Sequence, residues 1–220
     1  MVKNTIIVAF LTMFILIGMS TSTISSNKND VIVVEKYKPI HKEINVDNFK
    51  NFIKFYNPDI GKYLRKRISN VILNNAEKYN IDPIILLSVL AVESNYKHTK
   101  IGSFKEKGIG QIYPKVWFDK NNDKNLYIAG IIKPGEEYQL FWIGKNIEST
   151  AYILNTNKKI CTRYDKFDTL YKRGYKSTTE CMIRKYNGSG YSTIKYFINV
   201  SSIMGQYYIF VKNINNERNI

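Results

Sequence analysis

The sequence predicts a mainly α-helical domain, and three observations predict it. Apolar residues recur at three- and four-residue steps from Ile60 through Leu64, Ile68, Val71, Ile72 and Ala76. A second stretch, Ile84 to Val92, is almost wholly apolar and is introduced by Asp82-Pro83, a helix-start pair. No two alternating segments are strong enough to pair into a sheet. With 220 residues, 44% of them hydrophobic, the chain has room for one ordinary folded domain with extensions.

The chain begins like an export signal. Lys3 supplies a positive start, Ile6 to Met19 is apolar except for Thr12, and Ser20 and Ser22 suit cleavage near Ser22. The run is shorter than the roughly 20 residues of a transmembrane helix. Contact with the membrane is expected only if this segment stays uncleaved. Residues 23–50 read as a linker or extension, in which Val31 to Val34 could form a short strand or pack on the domain. The domain itself is expected over 51–212, with a tail at 213–220.

The helix from Ile60 to Ala76 keeps Arg65, Lys66, Arg67 and Asn70 off its apolar stripe. Tyr79, Asn80 and Ile81 turn the chain into the next helix, which is apolar enough to be buried on most sides. That helix ends at Glu93. A carboxyl placed directly after such a run should resist ionisation, which is what a general acid near neutral pH requires. The plainer alternative puts Glu93 on an exposed last turn. Glu106, in the following loop, has no apolar surround, and Asp119 and Asp123 lie in or beside an Asn-rich surface loop.

A helix is expected from Glu136 through Ile153, with Tyr138, Phe141, Trp142, Ile147, Thr150, Ala151 and Leu154 on a broad apolar face. Core packing is the expected role of Phe141 and Trp142, and stacking on sugar the alternative. Thr156 to Lys176 interleaves basic and aromatic residues. It reads as a helix with a solvated face rather than as a surface for single-stranded nucleic acid. Ser177 and Glu180 form a capping box for a helix that delivers Tyr186 and Asn187 at its end. Tyr196 to Phe210 is the last apolar segment.

The formal net charge of +15 favours polyanionic partners, although a chain this rich in Asn, Ile and Tyr can gain Lys through base composition alone. No recognised nucleic-acid motif accompanies the charge, and no specific nucleic-acid partner is expected. Cys161 and Cys181 are an even pair; export favours one disulfide over two buried thiols. The two cysteines and the separated His41 and His98 show no metal-ligand spacing, so neither a metal nor another cofactor is expected.

The central segment resembles the family 1 lytic transglycosylases, with their lysozyme-like soluble lytic transglycosylase domain. The resemblance rests on Glu93-Ser94-Asn95-Tyr96, then on Gly108-Ile109-Gly110-Gln111-Ile112-Tyr113-Pro114 starting fifteen residues after the acid, and on Tyr186-Asn187-Gly188. Asn146-Ile147, Leu154 and a weaker match at Tyr196 and Val200 accompany them, so it covers roughly Ile81 to Val200. It implies a lysozyme-like α domain that cleaves peptidoglycan glycan strands without a cofactor and leaves 1,6-anhydromuramoyl ends. Glu93 would be the single acid and base. Gln111 would reach the sugar cleft through its amide, with Gly108 and Gly110 letting backbone approach the glycan. Tyr186 would orient Glu93, Asn187 would hold the turn or touch sugar, and Ser94 would support the helix end.

One departure stands out. The family often carries a serine nine residues after the acid, where this chain has Gly102, so Ser103 is the candidate replacement. Two alternatives to the transglycosylase accompany the resemblance. One is a muramidase on the same fold, in which water attacks. The other is a non-catalytic wall-binding part of a secretion or conjugation apparatus. All three place the mature protein outside the cytoplasmic membrane, in the periplasm, the wall or the medium.

Overall fold

Asn45 caps the first helix, its side chain accepting from the Asn48 amide, and α1 runs Val46–Tyr56. This start lies inside the stretch assigned to the linker. The reason is a local apolar stripe, Phe49, Phe52 and Ile53, all fully buried. The computed structural model describes residues 43–119, 121–166, 169–188 and 192–217. The expected export signal, the Val31 to Val34 segment and most of the linker lie outside the described residues.

Helix α2 (Lys62–Lys78) buries Ile68, Ile72 and Ala76, as the spacing predicts. Asn80, at φ 50°, then reverses the chain. Helix α3 (Pro83–Ser94) starts at Asp82, whose carboxylate accepts from the Ile84 amide at 2.7 Å. Every residue from Ile84 to Ala91 is buried, so α3 is the axis of the core. It packs on α2 and on the last helix, α7 (Ser192–Glu217). That last helix extends through residues 213–217, which the sequence reading gave to the tail.

Pro114–Trp117 forms the short α4. Ile112, Leu126, Ile131, Ile132, Leu140 and Ile153 make a second, smaller core under the segment that follows. The single helix expected from Glu136 is instead a 3-10 turn, Glu137–Phe141, followed by α5 (Ile143–Lys166). Trp142 breaks the two apart with an extended backbone, and the Leu140 carbonyl is taken by the Asn146 side chain at 2.7 Å. Trp142 therefore precedes the helix and misses its apolar face. It is 51% exposed and meets Tyr138, 54% exposed, edge to face, which corrects the core-packing expectation for Trp142 and takes Tyr138 off the apolar face, while Phe141 is half-buried.

Helix α6 (Thr178–Tyr186) packs on α5 and α7. Ser177 accepts from the Glu180 amide at 3.1 Å as expected, but Glu180 returns to the Lys176 amide, one residue before the cap, and pairs with Arg184 at 3.0 Å. Two aromatic rings of the basic stretch lie under guanidinium groups, Tyr164 under Arg173 of the same stretch and Tyr175 under Arg184 of α6. A disulfide joins Cys161 of α5 to Cys181 of α6. Closing a loop of that size contributes about 3 kcal/mol through the unfolded chain. The fold is mainly helical, with only isolated bridges and no strand among the described residues. Among these residues no helix is long and apolar enough to cross a membrane.

Candidate active site

Glu93 is the next-to-last residue of α3, and its half-buried position follows from the helix end. The last turn carries it out of the apolar core, and Asn95 then stops the helix with a left-handed backbone, φ 54°. Burial pushes the Glu93 carboxyl up to about 7. The Tyr196 hydroxyl and the charge of Lys100 oppose that rise, and the negative charge of Glu106 adds to it. Tyr196, on α7, donates to Glu93 Oε1 at 2.7 Å.

Tyr186 does not have the place expected of it. Its hydroxyl donates to the Gly110 carbonyl at 2.6 Å and lies 3.4 Å from Thr150 Oγ1. It is still near the acid, because the Glu93 charge, after burial, helps raise its pKa well above the usual tyrosine range. With the Tyr186 hydroxyl taken by Gly110, the hydrogen bond to the acid comes from Tyr196 on the following helix. Asn187 is exposed at the C-cap of α6.

The Gly108–Gln111 loop is fastened from three sides. Ser94 Oγ donates to the Ile109 carbonyl at 2.7 Å, so the residue after the acid ties the loop to α3 rather than reacting. Asn146, fully buried, accepts from the Gly110 amide at 2.7 Å and donates to the Lys107 and Leu140 carbonyls. Gly108 has φ +77°, and a Cβ there would lie 2.1 Å from the Leu140 carbonyl oxygen. A Cβ on Gly110 would lie 2.0 Å from Thr150 Oγ1. Both glycines therefore let helix α5 approach the loop, a structural use that comes before any contact with a ligand.

Gln111 adopts a left-handed backbone, φ 49°, which is uncommon for a residue with a side chain. Its amide nitrogen donates to the Gly108 carbonyl at 2.7 Å and to the Lys100 carbonyl at 3.1 Å. The amide nitrogen thus braces its own loop. Its oxygen faces Gly102: a Cβ there would meet Gln111 Oε1 at 2.8 Å and Glu106 Oε2 at 2.2 Å.

That last distance shows what stands next to Gly102. The space a side chain at position 102 would fill is taken by the Glu106 carboxylate, which also accepts from the Phe104 amide at 2.9 Å. Ser103 is exposed beside it. Glu106 is half-buried, and its charge reaches Glu93. The polar surroundings of Glu106 in the sequence predict a solvated carboxylate, yet the turn of residues 102–106 brings it back towards the acid. The Gly102 amide closes that turn on the Glu106 carbonyl at 2.9 Å.

A groove of about 840 Å³ lies between the end of α3, α7 and the end of α1, lined by the neighbours of Glu93 and not by Glu93 itself. Val92 and Ser94, on either side of Glu93, line it, and so does Lys100, whose ammonium donates to the Glu93 carbonyl. Tyr196 appeared in the sequence only as part of a weak match, and Glu106 and Lys100 carried no motif. Tyr196 stands 103 residues from its partner, so no local pattern joins them. The chain matches no protein-family model, and no curated protein or solved structure is significantly similar to it.

Proposed function

We propose that the chain is an exported lytic transglycosylase that cuts peptidoglycan between N-acetylmuramic acid and N-acetylglucosamine. The observation that carries this reading is the Glu93 carboxyl. Burial raises its pKa to about 7, one of its oxygens is fixed by Tyr196, and its chain neighbours Val92 and Ser94 line an 840 Å³ groove. A group with a pKa near the working pH can both give and take a proton.

Glu93 gives its proton to the glycosidic oxygen as the bond from that oxygen to the muramoyl anomeric carbon breaks. The carboxylate then takes the proton of the muramoyl C6 hydroxyl, whose oxygen bonds to the anomeric carbon. Glu93 is restored, and the products are a free N-acetylglucosamine end and a 1,6-anhydromuramoyl end. No water is consumed. Export is supported by the Cys161–Cys181 disulfide, a bond that persists in oxidising compartments. The motif resemblance supports the substrate, and a net charge of +15 suits a wall that carries peptide carboxylates.

A second reading is favoured by Glu106. A second carboxylate near the acid is the arrangement that activates water in inverting glycosidases, and the charge of Glu106 reaches Glu93. On that reading the protein is a muramidase and yields reducing ends. Mass spectrometry of purified peptidoglycan digested by the full chain separates the two. Anhydro ends are expected. Reducing ends alone replace the first reading by the second, and undiminished lysis by a Glu93→Gln variant overturns both.

A further inference from the structure

A tryptophan left half in water forgoes the burial that usually repays its size, and Trp142 is such a residue. It is nevertheless held in place. Its amide donates to the Gln139 carbonyl at 2.8 Å, and its carbonyl accepts from the Asn146 amide at 2.9 Å. Its ring meets Tyr138 with 5.7 Å between centroids and 76° between planes, a favoured aromatic geometry. The indole forms one side of a pocket of about 360 Å³ between α2 and the start of α5. Val71, Asn74 and Asn75 of α2 line it too, and so does Gly144. Neither backbone nor packing calls for that glycine. It lies in a helix, its φ is not left-handed, and a Cβ there would meet nothing within 4 Å. Glycine weakens a helix, and what it leaves here is open room beside the indole. The pocket shares no lining residue with the 840 Å³ groove.

We infer that this pocket is a second carbohydrate site, which seats an uncharged sugar ring of a glycan polymer away from the acid. That the polymer is peptidoglycan rests on the functional reading above; that the ligand is a sugar rests on the pocket itself. Its charges largely cancel. Glu148 pairs with Lys78 at 2.5 Å and lies 3.6 Å from Lys145, while Arg67 is exposed. Such a lining suits neither a strongly acidic ligand nor a lipid chain. The electron-rich face of an indole attracts the C–H groups on the flat side of a pyranose. The Asn74 and Asn75 amides supply donors and acceptors for the hydroxyl and acetamido groups around the ring. Asn75 is already oriented, because its nitrogen donates to the Val71 carbonyl at 2.9 Å, and its oxygen is left to accept. The volume is that of a small-ligand site. A polymer that repeats its unit gains from a second hold, since a strand bound here stays at high local concentration near the acid.

The test reads the indole itself. The chain has two tryptophans, Trp117 and Trp142, so each ring N–H gives its own NMR signal. The full chain carrying Glu93→Gln is titrated with chitotetraose. The Trp142 signal is expected to shift and to saturate at about millimolar sugar, the affinity of one small contact. Trp117, packed against the second core, should stay in place. Adding Gly144→Gln fills the open room and replaces a helical glycine. That variant should resist urea better than its parent, yet lose the shift or need about tenfold more sugar to reach it. Loss of binding is thereby separated from loss of fold. On insoluble peptidoglycan, Trp142→Ala should cut co-sedimentation of the Glu93→Gln chain about fivefold, the value of a second hold. In the otherwise wild-type chain it should slow wall lysis to a similar extent and leave cleavage of short soluble fragments unchanged. A Trp142 signal that stays still up to about 20 mM sugar overturns the inference. So does a shift that Gly144→Gln leaves intact, or wall binding that Trp142→Ala leaves unchanged. Failure of the functional reading looks different: the wild-type chain then releases no fragments from the wall while the Trp142 shift persists.

Discussion

The Tyr196 hydroxyl donates to Glu93 Oε1 across 2.7 Å, joining the last helix to the end of the central one. A phenol whose pKa is pushed well above the usual range by burial, and then by the Glu93 charge, stays a donor at any working pH. It therefore holds the carboxyl in one orientation and favours its ionised form. Replacing Tyr196 by Phe removes both effects. The expected outcome is a fall in kcat of about ten- to a hundredfold, the loss of roughly 1.5–3 kcal/mol from a hydrogen bond to a charged group. The alkaline limb of the pH–rate profile should move upward, because the group opposing protonation is gone. A limb that stays in place or moves downward would show that Tyr196 does not act on Glu93.

Glu106 acts on the same carboxyl with the opposite sign. Its charge raises the Glu93 pKa, so Glu106→Gln should lower it and move the alkaline limb downward. Lys100 faces Glu93 as well and lowers its pKa, so Lys100→Met should move the limb upward. Burial remains the largest influence and stays in both variants. Each shift should therefore be smaller than the rise of Glu93 from its ordinary value to about 7. Initial rates of wall lysis measured across pH 4–9 for the two variants check the signs. The product ends of Glu106→Gln report on the water-activating role: if reducing ends are formed by the wild type, they should disappear.

What the sequence shows about this site divides along physical lines. Local patterns are legible: Asp82-Pro83 starts α3, the apolar run makes it central, and Gly108 and Gly110 sit where backbone must pass close to α5. Asn146 belongs to a motif pair, and its hydrogen bonds to Lys107 and Gly110 of the loop and to Leu140 of the 3-10 turn give that pair a mechanical meaning. Relationships between distant elements are not legible. Tyr196 and Tyr186 are both tyrosines near a helix boundary, and nothing in their surroundings says which one reaches the acid. Glu106 is obscured for another reason. A polar loop reads as solvated until its turn is known, and here the turn folds the carboxylate into the space left by Gly102. Trp142 is missed because a 3-10 turn shifts the register of the apolar face just before α5.

Gly110→Ala tests the fastening of the loop. The added Cβ would lie 2.0 Å from Thr150 Oγ1, 3.0 Å from Asn146 Oδ1 and 3.1 Å from the Tyr186 hydroxyl. Thr150 is a short, buried side chain on a helix and cannot swing away. Overpacking of this kind costs about 1–3 kcal/mol. Thr150→Ala makes room, so the double variant Gly110→Ala/Thr150→Ala should recover part of the loss. Urea unfolding of the four members of the cycle measures it, and simple additivity would mean that the two positions do not meet.

Keeping a buried carboxyl that must ionise near neutral pH lowers the stability of the fold. The folded chain holds the Glu93 proton up to about pH 7, and the unfolded chain releases it near the ordinary value of 4.5. Between those two values the native state binds more protons than the unfolded one, so stability falls as pH rises. Below about pH 4.5 both states are protonated and the full contribution is present. Above about pH 7 both are ionised and it is lost. A shift of this size corresponds to about 3 kcal/mol at most, and the partial exposure of Glu93 reduces the expected value to about 1–3 kcal/mol. Glu93→Gln keeps the shape and removes the titration. The variant should match the wild type near pH 4 and exceed it by about 1–3 kcal/mol at pH 8, measured by urea unfolding at both values. It should be catalytically silent over the whole range. A variant that is no more stable than the wild type at pH 8 would mean that the Glu93 carboxylate is well solvated in the folded protein. In that case it could not hold a proton at neutral pH, and the general acid would have to be sought elsewhere.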